Sequence, residues 1–269
     1  MRKGILICTF IMSICACKNV QKSASVKKHS LSLMPEAPAW GALWQQKAAE
    51  YRALSYQAYN SARQALDVFL QQPSNKPKAI VTDIDETILD NSPYYVHQAQ
   101  QHANYSDSSW LVWTRQVACD TVPGASSFFQ YAASKGITVF YITNRITGDK
   151  TQTITNLKKY HFPNADENHL MLMGNTSSKE TRRQEVAKAY NIIMLLGDNL
   201  GDFSALFDNY AMKERYKWTE DNKSAFGAKF IVLPNNMYGN WEESYYHGKN
   251  TQSFADSNAI LNGLMKAYP

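Results

Sequence analysis

The chain has 269 residues, of which 44% are hydrophobic and 19% charged, with 12 Gly and 9 Pro. This composition excludes a collagen, a coiled coil and a disordered tail protein, and it suits one large domain with a small addition. The formal net charge of +5 is mild, and without a clustered basic face it gives no reason to expect a nucleic-acid polymer as partner.

The first 16 residues have the pattern of a signal peptide. A basic start precedes a mainly apolar run that is too short to cross a bilayer, since a span takes about 20 apolar residues. The segment Ile14–Cys17 resembles a bacterial lipobox, although Leu more commonly stands first and Ala or Ser second. We therefore expect Cys17 to carry lipid and to hold an exported protein at the outer membrane, on its periplasmic or surface face. Ordinary signal cleavage nearby, or an uncleaved anchor, is the alternative.

In this interpretation, too few cysteines remain to form an intramolecular disulfide. Of the four cysteines, those at positions 8 and 15 would be removed and Cys17 would be lipidated, so Cys119 would be the remaining thiol. Residues 18–38 contain four Lys, four Ser and two Pro and have no apolar period. We expect residues 17–38 to form the lipidated N terminus and a flexible tether, at most about 70 Å long when fully stretched.

The clearest helical pattern runs from Ala39 to Gln72. Apolar residues from Trp40 to Phe69 recur at steps of three, four or seven, which places them on one stripe of an α-helix. Two prolines, at positions 73 and 77, end the pattern. We predict that 39–77 is a helical element of a smaller, mainly helical cap that also includes C-terminal segments. Whether Ala39–Gln72 folds as a separate cap or packs along the core stays open.

From residue 78 onward, β-rich runs alternate with helical patterns, without an internal repeat. Near-continuous apolar strands separated by helices favour a parallel sheet covered on both faces, in a three-layer, Rossmann-like α/β fold. Ligands of such sheets bind at the carboxyl ends of the strands. The predicted strands are Lys78–Asp83, Ile137–Thr143, His169–Met173, Ile192–Leu196 and Lys229–Leu233, and the predicted helices lie at 124–135, 150–160 and 179–190.

The first predicted strand ends in two acids, Asp83 and Asp85. Residues two apart on an extended chain point to the same side, and two unit charges at ~4 Å repel by about 4 kcal/mol at an effective dielectric of ~20. A hard cation such as Mg²⁺, or a shared proton, would relieve this repulsion. The alternative is a pair of solvated acids in a turn.

Polar residues also mark the ends of other elements. The second strand ends in Thr143-Asn144-Arg145, where hydroxyl, amide and backbone N–H groups can hold phosphate oxygens, although a helix cap explains the same residues. Lys179 stands at a predicted helix start, where a cation opposes the usual preference for acids and a bound anion would relieve it. The fourth strand ends in a glycine-containing loop with Asp198 and Asp202, whose spacing does not fit an EF-hand.

The order of these signals resembles the haloacid dehalogenase superfamily of phosphotransferases. Two longer strings, Ile80–Tyr94 and Gly197–Phe203, are similar to the two signatures of class C bacterial acid phosphatases, and shorter strings match in the same order from about Trp40 to the C terminus. The resemblance implies a haloacid dehalogenase-like catalytic domain over 78–269 with a C-terminal extension, and a Mg²⁺-dependent acid phosphatase. It also implies a lipoprotein, which agrees with the separate interpretation of Cys17.

The resemblance further implies a role for each strand-end residue. Asp83 is expected to be the nucleophile that forms an aspartyl phosphate, and Asp85 the general acid and then the general base. Mg²⁺ is expected on Asp83, the backbone carbonyl of Asp85 and Asp198. The other expected site residues are Thr143, the Asn144 backbone N–H and Lys179 for the phosphoryl oxygens, Asp202 to orient Lys179 or a metal-bound water, and Trp110 and Tyr238 against the ring of the substrate.

The expected substrates are small phosphomonoesters, including 5′-nucleotides, because stacking on an aromatic side chain accepts many ring types. Core packing is the alternative role for Trp110 and Tyr238. Two other functions stay open: a phosphotransferase that uses the same residues with another acceptor, and a non-catalytic surface lipoprotein that binds a ligand. The sequence leaves the oligomeric state undecided, with a homodimer as one option.

Overall fold

The structure is a computed structural model that describes residues 30–208, 211–249 and 251–267. The predicted signal peptide, Cys17 and most of the predicted tether lie outside these residues, so the lipid anchor stays a prediction. Among the described residues, no helix is both long enough and apolar enough to span a membrane.

A five-stranded parallel sheet forms the centre of the molecule. The described strands are β1 (Lys78–Thr82), β2 (Leu89–Asp90), β3 (Asp120–Thr121), β4 (Thr138–Ile142), β5 (Leu170–Met171), β6 (Asn191–Gly197) and β7 (Phe230–Val232). The sheet has the order β5-β4-β1-β6-β7, while β2 and β3 form a separate antiparallel pair. The five strands predicted from the apolar runs are thus confirmed, and β1 takes the central position.

Helices connect the strands and cover the sheet. Those predicted at 124–135, 150–160 and 179–190 are present with nearly the same bounds. The described α-helices are α1 (Ala37–Lys47), α2 (Ala49–Leu70), α3 (Ser92–Gln100), α4 (Asp107–Thr114), α5 (Ala125–Ser134), α6 (Lys150–Lys159), α7 (Glu180–Ala189), α8 (Met212–Asp221), α9 (Asn240–Tyr246) and α10 (Phe254–Leu264).

Different helices cover the two faces of the sheet because successive side chains of a strand point to opposite sides. Ile80 of β1 lies in the main apolar core with Leu66 of α2 and Phe129 of α5. Val81, the next residue along β1, lies in a second apolar core with Val186 of α7. The predicted α/β fold with a parallel sheet between two helical layers is confirmed.

The structure divides the predicted helical element at 39–77 into two helices with different neighbours. The backbone is extended at Ala48, between α1 and α2. Helix α1 packs against α3, and its Ala42 joins a small apolar cluster with Tyr95 and Trp110. Helix α2 instead packs on the sheet and α5, with Leu66 fully buried in the main core. The α1 half therefore packs with α3, whereas the α2 half is part of the three-layer core.

The last residues of the predicted tether are part of the folded structure. Asn258 on α10 accepts hydrogen bonds from the backbone N–H groups of Leu33 and Met34 at 2.7 and 2.9 Å. Asn262 accepts another from the Leu31 N–H at 2.8 Å. The prediction of a tether that extends to residue 38 is therefore corrected: the folded part begins by Leu31, because α10 supplies partners for this backbone.

Candidate active site

The ends of three adjacent strands bring the predicted acids together. Strand β1 lies between β4 and β6, and Asp83, which follows β1, donates its backbone N–H to the Leu196 carbonyl of β6 at 2.9 Å. Asp198 follows β6, and Asn144 lies just beyond β4. Residues more than 100 positions apart in the sequence meet here because the carboxyl ends of parallel strands share one edge of the sheet.

Three carboxylates at this edge form the acidic cluster, defined as Asp83, Asp198 and Asp202. One oxygen of each lies within 4.8 Å of the others. Burial, followed by the neighbouring charge of Asp202, raises the pKa of Asp198 to about 7. Burial also raises the pKa of Asp83 well above its usual range, an effect that the positive charge of Lys179 opposes. Burial thus disfavours the charged form of both carboxylates, and a nearby positive charge would stabilise it.

Lys179 supplies positive charge to this cluster from the residue that precedes α7. Its ammonium group donates hydrogen bonds to Asp83 and, at 2.6 Å, to Asp202 Oδ1. Burial by itself would lower the pKa of Lys179, but the charges of Asp202 and Asp83 raise it. Lys179 therefore stays cationic, and a substrate phosphate at this place would meet a fixed positive charge.

The loop after β6 folds back tightly to place the Asp202 carboxylate. Asp202 accepts a hydrogen bond from the Asn199 backbone N–H at 2.9 Å and closes a short helical turn. A Cβ atom on Gly197 would come within 2.2 Å of Asp202 Oδ2, so this position requires glycine. Asp198, in the same loop, accepts hydrogen bonds from the side chains of Asn235 at 2.8 Å and Thr87 at 3.1 Å.

Asp85 is held from behind by two side chains. The Arg145 guanidinium forms an ion pair with Asp85 Oδ1 at 2.7 Å, and Asn91 Nδ2 donates to the same oxygen at 2.8 Å. Arg145 also donates to Thr153 at 3.1 Å. The Asp85 carboxylate thus points toward the cavity from a fixed support, apart from the acidic cluster.

These residues line a cavity of about 500 Å³ whose outer wall is aromatic. The ring of Tyr238 stacks on that of Tyr95 with centroids 4.7 Å apart, and the Tyr238 hydroxyl donates to the buried Glu86 carboxylate. Trp110 packs edge-on against Tyr94 at 5.0 Å and also lines the cavity. The volume accommodates a small phosphorylated molecule with its phosphate at the acids and its remainder between aromatic rings.

Comparison with protein families agrees with this geometry. The sequence model of the haloacid dehalogenase (HAD) superfamily, subfamily IIIB (acid phosphatase), matches residues 12–241. The chain belongs to HAD subfamily IIIB. This membership confirms the family resemblance read from the sequence, and the phosphomonoesterases of this family are the expected class of enzyme.

Two solved structures resemble this HAD subfamily IIIB member over most of its length. The class C acid phosphatase from Bacillus anthracis is 36% identical with a TM-score of 0.84, and the match covers 89% of this chain and 100% of that chain. The crystal structure of the same enzyme with tungstate bound matches with a TM-score of 0.83 at 36% identity, over 90% of this chain and 100% of that one.

Two plant proteins are more distant relatives. Acid phosphatase 1 of Solanum lycopersicum is 24% identical over 166 residues, 59% of this chain and 57% of that protein. The stem 31 kDa glycoprotein of Glycine max is 23% identical over 125 residues, 44% of this chain and 49% of that protein. The chain therefore spans about half the length of these curated relatives.

Most predicted site residues of this HAD subfamily IIIB member lie together. The carboxylates that cluster are those of Asp83, Asp198 and Asp202, and the backbone carbonyl of Asp85 as a metal ligand stays a prediction. Thr143 is fully buried behind the cavity wall, and its hydroxyl oxygen accepts the Arg145 backbone N–H at 3.1 Å. The residues that line the cavity are Asp83, Asp85, Trp110, Asn144, Lys179, Asp198, Asp202 and Tyr238, together with others.

Three further residues at this site received no role from the sequence. Arg145 and Glu86 stand next to predicted site residues, and this position was the only sequence feature that could have indicated a role for them. Glu86 is fully buried in a left-handed backbone conformation with φ of 56°. Its carboxylate accepts the Asn91 backbone N–H at 2.7 Å as well as the Tyr238 hydroxyl. Tyr95 lies in α3 within an ordinary helical pattern and carried no local signal.

Proposed function

We propose that this chain is a Mg²⁺-dependent acid phosphatase that hydrolyses small phosphomonoesters through an aspartyl phosphate on Asp83. The observation that carries the proposal is the position of the Asp83 carboxylate. It lies at the end of the central strand, in contact with the Lys179 ammonium, within the acidic cluster and on the wall of the cavity. Phosphoryl transfer depends mainly on such positioning and charge neutralisation.

In the first step, an Asp83 carboxylate oxygen attacks the phosphorus atom and the ester P–O bond breaks. Asp85 gives a proton to the departing alkoxide, which leaves as the alcohol. Lys179 stabilises the negative charge on the phosphoryl oxygens. In the second step, Asp85 takes a proton from water as the water oxygen attacks phosphorus, and the bond to Asp83 breaks to release inorganic phosphate.

The donor chemistry of the acidic cluster fits a hard divalent cation. Asp83, Asp198 and Asp202 offer carboxylate oxygens within 4.8 Å of one another, and burial together with the charges of neighbouring acids raises the pKa values of Asp83 and Asp198. Mg²⁺ prefers such oxygen ligands. When bound, the ion would supply positive charge that offsets the repulsion between the Asp83 carboxylate and the substrate phosphate.

The relatives support this proposal. A related class C acid phosphatase has been solved with tungstate bound. Tungstate is a tetrahedral oxyanion, as phosphate is. The Lys179 ammonium and the backbone around Asn144 are the groups of this chain that would bind a phosphate of that shape.

The decisive experiment is Asp83→Asn, which keeps the side-chain shape and removes the nucleophile. We expect phosphate release from p-nitrophenyl phosphate at acid pH to fall by at least about three orders of magnitude. EDTA should inactivate the wild-type chain, and Mg²⁺ should restore its activity.

The matched control is Asp208→Asn, the same change at a cavity-lining carboxylate outside the acidic cluster. This variant should retain hydrolysis, and circular dichroism should show that both variants are folded. Full activity of folded Asp83→Asn would contradict the covalent mechanism. Retained ligand binding by the wild-type chain, without phosphate release from any monoester, would favour the non-catalytic alternative.

The aromatic wall supports 5′-nucleotides as one substrate class. We expect Tyr238→Ala to lower kcat/KM for a nucleoside 5′-monophosphate by about 5- to 150-fold, the equivalent of one lost stacking contact, with a smaller loss for glycerol 2-phosphate. Tyr238→Phe keeps the ring and removes the hydroxyl that binds Glu86. It therefore separates the effect of stacking from the effect of the hydrogen bond to Glu86. Equal losses on both substrates would refute the stacking role, and phosphorylated products formed with added nucleosides would identify a phosphotransferase.

A further inference from the structure

The Asp85 carboxylate is bound unequally at its two oxygens. Oδ1 accepts three hydrogen bonds: from Arg145 Nη2 at 2.7 Å, from Asn91 Nδ2 at 2.8 Å and from Arg145 Nε at 3.0 Å. Oδ2 accepts one longer bond, from Arg145 Nε at 3.2 Å. Oδ1 is therefore saturated, and Oδ2 keeps acceptor capacity for a proton or a substrate oxygen.

Arg145 lines the cavity, but its side chain is buried and its hydrogen-bond donors face Asp85 and neighbouring protein groups. Its side chain is 1% exposed, whereas that of Asp85 is 14% exposed and reaches the cavity. Beyond its bonds to Asp85, the guanidinium is occupied by Thr153 Oγ1 at 3.1 Å and by the Cys119 sulfur at 3.9 Å. A substrate phosphate would meet Lys179 and the acidic cluster before it could reach these donors.

The support continues through Asn91 into the surrounding structure. Its side-chain oxygen accepts the Trp113 indole N–H at 2.9 Å and the Cys119 thiol at 3.1 Å, which fixes the amide with its NH₂ group toward Asp85. Arg145 follows β4, and Asn91 follows β2. Two separate elements thus restrain one carboxylate, and such restraint matters because a misplacement of about 1 Å can cost about 100-fold in rate.

We propose that Arg145 is a positioning residue that anchors Asp85 Oδ1, so that Oδ2 faces the leaving-group oxygen of the substrate. The inference rests on the proposed function and refines it. The proton moves from Asp85 Oδ2 to the ester oxygen while the P–O bond to that oxygen breaks and the bond from Asp83 to phosphorus forms. Arg145 acts through Asp85 and contacts none of the reacting atoms.

The test compares substrates that differ in their need for a proton. A 2,4-dinitrophenolate leaves without protonation, whereas an alkoxide does not. In Arg145→Met, we expect kcat/KM for ethyl phosphate to fall about 100-fold or more, as for a displaced general acid, and kcat/KM for 2,4-dinitrophenyl phosphate to fall less than about fivefold. KM for both substrates should change little.

Two further variants keep the test decisive if Arg145→Met folds poorly. Arg145→Lys retains the charge and one donor group, and we expect it to show an intermediate loss on ethyl phosphate alone. In an Asp85→Asn background, Arg145→Lys should cause no additional loss, because the residue through which Arg145 acts is already disabled. The matched control is Arg215→Met. It removes another buried arginine, which lies on α8 and donates a hydrogen bond to the Phe207 carbonyl. This control should not change the ratio of kcat/KM for ethyl phosphate to kcat/KM for 2,4-dinitrophenyl phosphate.

The outcomes separate this role from the proposed function. Equal losses on both substrates, or additive losses in the Asp85→Asn background, would assign Arg145 a merely structural role. Undiminished hydrolysis of ethyl phosphate by Arg145→Met would also overturn the inference. Failure of the wild-type chain to release phosphate from either substrate would refute the proposed function, and this role with it.

Discussion

Asp198 differs from its partners in the acidic cluster in how its charge is stabilised. Asp83 and Asp202 share the Lys179 ammonium, whereas the hydrogen-bond donors to Asp198 are the neutral groups of Thr87, Asn199 and Asn235. Burial, followed by the neighbouring charge of Asp202, raises the pKa of Asp198 to about 7, and the hydrogen bond from Asn235 opposes this effect. At the residue scale, Asp198 is a carboxylate of the acidic cluster without an ion-pair partner among the described residues, and a bound cation would stabilise its charge.

We therefore expect Asp198→Asn to act mainly on the metal requirement. The Mg²⁺ concentration for half-maximal activity should rise by at least about 10- to 100-fold, since even outer-shell changes at metal sites have effects of this size. The measurement is phosphate release across a Mg²⁺ titration, with Asp208→Asn as the control that should leave the titration midpoint in place. An unchanged midpoint in Asp198→Asn would remove this residue from the metal site.

Glu86 and Arg145 show what single-residue reasoning leaves out. Both stand beside residues that the sequence marked as chemical, yet their partners, Tyr238 and Asp85, lie 152 and 60 positions away. A charged side chain that is buried requires such partners. The sequence contains these charged residues, but their partners are set by which chain segments meet at the same edge of the sheet.

Helix α2 shows at the element scale how an apolar stripe leaves its covering layer undecided. Its periodicity was recognisable, but periodicity specifies a buried face without naming what covers it. In the structure, that face lies on the sheet and on α5, where Leu66 is fully buried. The break at Ala48 carries no sequence signal, because alanine is the strongest helix former.

This placement predicts a large stability difference between two residues of the same helix. We expect Leu66→Ala to lower the free energy of unfolding by about 2–5 kcal/mol, because it empties space in the main core. Val68→Ala should change it by less than about 0.5 kcal/mol, because Val68 is 61% exposed. Urea denaturation of both variants measures the two values, and a small loss for Leu66→Ala would contradict a core role for α2.

The long, buried strands of the sheet could be predicted from the sequence, whereas the short antiparallel pair β2 and β3 could not. The central strands β1, β4 and β6 are near-continuous apolar runs, and their predicted bounds agree within about two residues. The pair β2 and β3 has two residues in each strand, too short for any period to be visible. This pair nevertheless positions Asn91, and through it Asp85.

At the scale of the whole molecule, the folded part begins by Leu31 and the predicted anchor lies some 14 residues before it, at Cys17. We propose that this HAD subfamily IIIB member is an exported outer-membrane lipoprotein. The proposal is supported by the lipobox-like segment Ile14–Cys17, and several acyl chains hold a protein at a bilayer stably where one does not.

Cell fractionation of the full-length chain tests the anchor. We expect Cys17→Ala to move the protein from the membrane fraction to the soluble fraction, because the lipid is the proposed means of attachment. Cys119→Ser is the matched control, since that cysteine is a free, buried thiol of the folded part and should leave the distribution unchanged. Persistence of Cys17→Ala in the membrane fraction would argue for an uncleaved anchor instead.

The sequence by itself determined the parallel α/β class, the strand order along the chain and the acids at the strand ends. These follow from local patterns: apolar runs predict buried strands, and polar residues at their carboxyl ends predict a site. Tertiary structure alone decided that α2 belongs to the core, that Glu86 is buried against Tyr238 and that Arg145 pairs with Asp85. Each of these features depends on contacts between segments far apart in the chain. Packing and charge compensation decide which segments meet, and local propensity does not.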